Sequence, residues 1–427
     1  MPFASRLLTA LSPTIRPLCP TSSTFNIFIR RTSPLALTST ITTTAPTRRL
    51  KTQTSSIAEF NSQENKTNKR DKMTGQNQAL WLTEQEGDFV VREAPYWTPG
   101  PDDILVRNKA VAINPMDWKI KLFGKHIPFP RTFPAIIGAD VAGEVAEVGE
   151  NVTKFKKGDR VIGKANYVAT DHPSTGAFQH YTVCPASGSA ILPDSISFAA
   201  GSVLPLAIST AAMGLYPPHR LGLPLPSPSS DAKKGKILLV WGGSSSCGSA
   251  AIQLAAASGA RVIATASAKN FAFVKSVGAE EVVDYNDDEE KVVQRLVERI
   301  RAMQGSSKDN EDIYGAIDAI GEDKTWRATA QVLHGLGGGK VVSFLPWGHE
   351  GAPEGVEVQG LNDTSSLGKL TDINEAVWGR FVPEGLKNGA LKAVPAPIVV
   401  GKSLDALPEE IMKSQAGVSA GKLVIEL

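Results

Sequence analysis

Cysteine is scarce in this 427-residue chain. Cys19, Cys184 and Cys247 are too few for a disulfide framework, and none has a partner at metal-finger spacing. Long apolar runs are also missing, since no stretch approaches the roughly 18 consecutive apolar residues that a membrane-crossing helix needs. Net charge is only +2, which points to no polyanion and so to no nucleic-acid partner. Acidic residues are lacking at the start, where none precedes Glu59, while Arg6, Arg16, Arg30, Arg31, Arg48, Arg49 and Lys51 lie among many Ser and Thr. That is the composition of a mitochondrial transit peptide. A disordered extension, or an upstream start bypassed by translation from Met73, accounts for it equally, and residues 1–72 are set aside from the fold in either case. The expected location is the cytoplasm, or the mitochondrial matrix if the extension is used.

At 42% hydrophobic and 21% charged residues, the remainder has an ordinary globular composition with room for two domains. Its most informative stretch is KILLVWGGSSSCGSAAIQLAAASGARVIATASAK, Lys236 to Lys269. Ile237 to Val240 form a short apolar run suited to a parallel strand buried on both faces. Gly242, Gly243 and Gly248 then punctuate a small-residue turn, an Ala-rich helix follows, and Gly259 stands where its C-cap belongs. Such a turn presents backbone N–H groups at a helix N-terminus, where a pyrophosphate fits, so Ser245, Ser246, Cys247 and Gly248 are the candidate cradle. The glycines do not form a clean G-x-G-x-x-G, and close packing without a ligand would use similar residues.

A further absence refines the cofactor. NAD sites place an Asp or Glu about 20 residues beyond the glycines, to hold the ribose 2′-hydroxyl. Here that position reads Thr265, Ala266, Ser267, with Lys269 beyond it. Hydroxyls and a cation suit a 2′-phosphate, so NADPH is expected. An ordinary solvated lysine would read the same way at position 269.

From Ala79 the pattern is that of a β domain: ALWL, FVVREA and DILVRNKAVAIN, then AGEVAEVG and DRVIG, separated by turn residues. Pro217 to Lys234 is too rich in Pro and Ser to be anything but a loop. Beyond Ala266, FAFVKSVG, EEVVDY, EEKVVQRLVERIRAM, YGAIDAIG and GKVVSFL alternate helix with strand and predict a doubly wound parallel sheet.

Ordered blocks across nearly all of Met73–Leu427 carry a resemblance. They are AINPMDWKIK, FPAIIGADVAGEVAEVGENVTKFKKGDRVIG, AFQHYTV, LPLAISTAA, VWGGSSSCGSAAIQLA, TASAKNF, VKSVGAEEVVDY and AGKLVIEL. The chain resembles the medium-chain dehydrogenase/reductase superfamily in its zinc-free, quinone-oxidoreductase-like branch, and within it the fungal trans-acting enoyl reductases. The resemblance implies an α/β protein with a GroES-like β domain over 73–204. A Rossmann NADP-binding domain over 205–375 and a C-terminal return to the GroES-like domain over 376–427 complete it.

It also bears on metal. Zinc-dependent relatives carry a Cys where this chain has Asn114, and a His where it has Ala139 between Gly138 and Asp140. The four-cysteine lobe for structural zinc is missing, and His172, His180, His219, His334 and His349 have no metal-like spacing, so no metal is expected. By resemblance, Asp117, Trp118 and Lys119 lie beside cofactor and substrate, with Lys119 as electrostatic partner of the reacting oxygen. A tight turn held by Asn114 and Asp117 beside a packed Trp118 explains the same residues. Where mitochondrial-type relatives have a proton-donating Tyr, this chain has Gly124, Lys125 and His126. His126 could give the proton, as could water or the substrate. Ser267, Lys269 and Asn270 around the 2′-phosphate, Tyr285 near the adenine, and Ile320 and Gly321 after the next strand complete the implied site. LPLAIST is expected to line the cleft.

The expected function is NADPH-dependent hydride transfer to an activated C=C of an enoyl thioester or enone. A quinone reductase is the alternative on the same scaffold, and a non-catalytic NADPH-binding protein is the alternative from another class. The partner is a small molecule with an electron-poor C=C or a quinone, without a membrane, in a monomer or homodimer. Whether a polyketide synthase takes part stays open.

Overall fold

The computed structural model describes residues 77–124, 132–229, 235–304, 312–345, 350–361 and 370–427. The extension over 1–72 and His126 lie outside the described residues.

Among the described residues eight strands come first: β1 Gln78–Leu82, β2 Phe89–Glu93, β3 Asp103–Ala112, β4 Ala135–Ile136, β5 Asp140–Val148, β6 Arg160–Lys164, β7 Tyr181–Pro185 and β8 Ser189–Ile191. Helix α1, Pro115–Phe123, leaves directly from the end of β3. The described strands of the second region follow: β9 Ile237–Trp241, β10 Arg261–Ala266, β11 Ala279–Asp284, β12 Ile313–Asp318, β13 Gly339–Ser343 and β14 Val356–Gly360. The chain closes with β15 Ala396–Gly401 and β16 Gly421–Glu426.

The first region pairs almost wholly antiparallel. One sheet runs β2-β1-β4 and a larger one β15-β16-β3-β5-β6-β8, with β7 also on β3. Strand β16, from the far end of the sequence, pairs antiparallel with β3 through Val424–Ala112, Ile425–Val111 and Glu426–Ala110. This is the GroES-like domain, and Leu80, Leu82, Ile104, Val106, Val141, Val161, Phe178 and Ile425 fill its core.

The second sheet is parallel throughout, in the order β11-β10-β9-β12-β13-β14. All five residues of β9 are buried, because helices cover both faces, and a continuous apolar run is what such a strand requires. Strand order reverses between β9 and β12, successive strands being added on one side from β9 to β11 and on the other from β12 to β14, which makes the crevice at their carboxyl ends the place where a Rossmann sheet binds ligand. Helix α2, Pro205–Leu215, packs beside α3, Ser246–Ala257, which crosses from β9 to β10. On the outer face, α5, Glu289–Gln304, buries Val292, Leu296 and Ile300, one stripe at four-residue spacing, and α6 is Asp323–Gly335. Helix α4, Phe271–Ser276, leads into β11.

Helix α2 joins the two regions. Ala207, Ile208, Ala211 and Leu215 share one core with Ala110 and Ile162 of the β domain and with Val240, Ile252 and Leu254 of the parallel region. This corrects one expectation: the window Phe198–Leu215 has a mean hydropathy of 1.6 over 18 residues, enough by length and composition for a membrane span. The segment is 78% buried inside the protein and is apolar because most of it packs against the rest of the chain.

Candidate functional site

The phosphate turn is held from below. Gly242 donates its N–H to Thr265 Oγ1 at 2.9 Å, and Gly243 donates to the Thr265 carbonyl at 2.8 Å. Thr265 is therefore buried beneath the turn and not among the hydroxyls beside a 2′-phosphate. Gly242 sits at φ +80, and a Cβ there would lie 2.7 Å from Ile320 Cδ1, so the β9–α3 turn and the loop after β12 touch. At Gly248 a Cβ would meet the Gly242 carbonyl oxygen at 2.2 Å, which lets the first turn of α3 close onto the glycine loop. Ser245 is the N-cap, its Oγ accepting from Gly248 N at 3.0 Å, while Ser249 N donates to the Ser245 carbonyl. The first amides of a helix lack intrahelical acceptors, so those of Ser246 and Cys247 remain to face an anion. The Cys247 thiol points inward, and burial pushes its pKa up to about 11.

Past β10 lies a cleft of about 450 Å³, lined by Ser267, Ala268, Lys269, Asp284, Tyr285, Asn286 and Ser419. Asn270 stands behind its wall and donates through Nδ2 to Ser267 Oγ at 3.2 Å and to Ser419 Oγ at 3.1 Å. Ser267, Lys269 and Tyr285 thus meet around one cavity, with Asn270 supporting it. Asp284, Asn286 and Ser419 escaped the sequence reading. The first two flank Tyr285 and were within reach of it, but Ser419 arrives from 149 residues away and gave no signal.

At the carboxyl end of β12, buried Asp318 shapes the loop carrying Ile320 and Gly321. Its carboxylate accepts from Ile320 N at 3.1 Å, Gly321 N at 3.1 Å and Thr325 Oγ1 at 3.0 Å. Burial still dominates and pushes its pKa up to about 6. Opposite it in the sheet, the hydroxyl of buried Ser343 has no hydrogen-bond partner among the described residues, at the edge where a dinucleotide would lie.

On the facing side, α1 presents Trp118 and Lys119, both half-buried. The Lys119 ammonium lies 5.5 Å from the Trp118 ring centre, and Trp118 meets Phe123 edge-on. Burial lowers the Lys119 pKa, opposed by the charge of Glu322, the residue after Gly321. Lys119 therefore looks across to the loop after β12. Asp117 does not: it is fully buried, accepts from Asn114 N at 2.7 Å and from the Tyr167 hydroxyl at 3.3 Å, and so fixes the start of α1. Burial pushes its pKa up to about 7.

Beneath this helix lies a cluster that the sequence did not reveal. Asp140 accepts from Lys422 Nζ at 2.6 Å, Asn114 Nδ2 at 2.7 Å and Leu206 N at 2.6 Å, and Lys422 also donates to the Val203 carbonyl at 3.2 Å. Nearby Lys164 is pulled down to about 8 by burial, against the Asp140 charge. Among the described residues no group of three His, Cys, Asp or Glu could hold a metal ion.

Comparison with known proteins agrees with this architecture. Residues 100–194 match the alcohol dehydrogenase GroES-like domain, and residues 247–363 match the zinc-binding dehydrogenase family. Dehydrogenase orsE of Emericella nidulans is 40% identical over 82% of this chain and 99% of its own length. Trans-enoyl reductase himH of Aspergillus japonicus is 36% identical over 82% of this chain and 97% of its own. The solved structure of an alcohol dehydrogenase superfamily protein from Novosphingobium aromaticivorans superposes with a TM-score of 0.65 at 26% identity, covering 82% of this chain and 99% of that one.

Proposed function

The chain belongs to the medium-chain dehydrogenase/reductase superfamily, in its enoyl-reductase-like part, as a nicotinamide-dependent oxidoreductase, and from that premise we propose that it uses NADPH, without zinc, to reduce the electron-poor C=C of an enoyl thioester or enone. The observation that carries the cofactor half is the cleft after β10, where Ser267 and Lys269 stand and no acid occupies the end of that strand. The substrate half is supported by the relatives that bear the name trans-enoyl reductase. We take 73–204 with 376–427 as one domain and 205–375 as the other, supported by the pairing of β16 with β3.

The residues fit a dinucleotide. The amides of Ser246 and Cys247 suit the pyrophosphate, the Lys269 ammonium and Ser267 hydroxyl suit the 2′-phosphate, and Tyr285 offers a ring beside them. When bound, the nicotinamide supplies a hydride. Lys119, half-buried and so weakly screened, supplies positive potential where an enolate oxygen would gain charge. Asp117 keeps α1, and with it Lys119, in register.

Zinc does not fit the donor set. A catalytic zinc takes three protein ligands from Cys, His and carboxylate side chains. Around Asp140 stand the Asn114 amide, the Ala139 methyl and the Lys422 ammonium, which contacts the carboxylate a metal would need.

The test is titration of the full-length chain with NADPH and NADH by fluorescence, followed by NADPH oxidation with a crotonyl thioester, an enone and a quinone. Tighter NADPH binding, abolished as a preference in K269A, with turnover of thioester or enone is expected. Preference for NADH removes the cofactor assignment, turnover of the quinone alone replaces the substrate class, and binding with no turnover favours a non-catalytic nucleotide binder.

A further inference from the structure

One wall of the cleft after β10 comes from the other end of the chain, and its chemistry matches the rest. We propose that Ser419 is a specificity-determining residue that donates a hydrogen bond to the 2′-phosphate of the cofactor. The C-terminal segment would then take part in selecting NADPH over NADH. The inference rests on the NADPH reading and goes further, in assigning part of the discrimination to a residue outside the parallel sheet.

Asn270 supplies the argument. A side-chain amide has two N–H donors, and here one goes to Ser267 Oγ and the other to Ser419 Oγ. A hydroxyl that accepts through a lone pair still has its own proton to give. With Asn270 engaging both hydroxyls from behind the wall, both can present that proton to the cleft they line. Lys269 adds an ammonium that has no ion-pair partner among the described residues. Two hydroxyl donors and a cation around one cavity make a set suited to a phosphate dianion and wasted on a ribose hydroxyl. Among the described residues Asp284 is the one carboxylate lining the cleft, and its Oδ1 already accepts from Asn286 N at 2.9 Å and Asn286 Nδ2 at 3.0 Å.

The segment bearing Ser419 is held on its C-terminal side. Ala420 lies at φ +49, a region that a residue with a Cβ enters only when its surroundings impose it. Three residues beyond Ser419, Lys422 is tied to Asp140 and to the Val203 carbonyl. Ser419 is therefore delivered by a segment anchored inside the protein, although the residue itself is exposed.

The experiment compares wild type, S419A, S419T and S419D as full-length chains, with NADPH and NADH followed by fluorescence and 2′,5′-ADP by calorimetry. Loss of one charge-assisted hydrogen bond should weaken NADPH and 2′,5′-ADP roughly tenfold in S419A and leave NADH unchanged. S419T should keep the wild-type preference, and S419D should weaken NADPH further by repulsion. If wild type prefers NADPH and both S419A and S419D retain its NADPH-to-NADH ratio, the assignment of Ser419 is wrong and the NADPH reading stands. If wild type shows no preference for NADPH, both fall before any variant is considered.

Discussion

Replacing Lys422 by Met removes one partner of a buried ion pair and leaves the other, so it should be among the most destabilising changes in the molecule. Lys422 is 4% exposed and Asp140 0%, with Nζ and Oδ2 2.6 Å apart. At an effective dielectric of about 20, two unit charges at that distance attract by about 6 kcal/mol. Taking the ammonium out of water offsets part of this, and the net cost of stranding one buried charge is about 3–5 kcal/mol. The Asn114 amide and the Leu206 N–H still donate to Asp140, which argues for the lower end. Neutralising the stranded charge should then recover stability: D140N/K422M keeps an oxygen for Leu206 N and should lose only about 1–2 kcal/mol. Urea unfolding followed by tryptophan fluorescence would order the proteins as wild type, then the double variant, then K422M. A loss below about 1 kcal/mol in K422M, or a double variant less stable than K422M, would show that the pair does not carry the energy assigned to it.

Three further outcomes follow from the same geometry. Because burial raises Asp117 from 3.8 to about 7, the folded protein keeps a proton that the unfolded chain releases. Its contribution is present at low pH and is lost as pH rises from about 4 to 7, a fall of about 4 kcal/mol for a shift of this size. D117N should flatten that part of the stability curve, and an unchanged slope would rule the titration out. G248A would place a Cβ against the Gly242 carbonyl and should weaken dinucleotide binding more than tenfold while the circular dichroism is kept. Tight binding by this variant would mean that the first turn of α3 does not form the cradle. T265V leaves the Gly242 N–H buried without its acceptor and should cost about 1–3 kcal/mol in thermal unfolding, with T265S restoring most of it. Equal losses in the two variants would assign the effect to packing.

What could be read in advance was local. The β9–turn–α3–β10 unit occupies one short stretch, so its strand run, glycines and Ala-rich helix sit next to one another in the sequence, and strand periodicity marked the β domain in the same way. Within such units a short polar side chain still had two uses that the sequence alone could not separate. Asp117 was open to two readings, a residue beside the cofactor or a holder of the turn with Asn114, and an acid in the first turn of a helix competes for its own N-cap amide, as here, where it binds Asn114 N. Thr265 looked like a phosphate hydroxyl, yet on a strand alternate positions face opposite ways, and this one turns under the glycines. The remainder was hidden by sequence distance. Lys422 and Asp140 stand 282 residues apart, and Ser419 and Asn270 stand 149 apart. A lysine near the C-terminus reads as a solvated charge until the antiparallel pairing of β16 with β3 carries it inside. That single pairing brings both residues to their places, since Lys422 lies within β16 and Ser419 just before it. The part of the site least legible in the sequence is thus the part set by one long-range strand register, and shifting that register by one residue would turn Lys422 to the opposite face of the sheet.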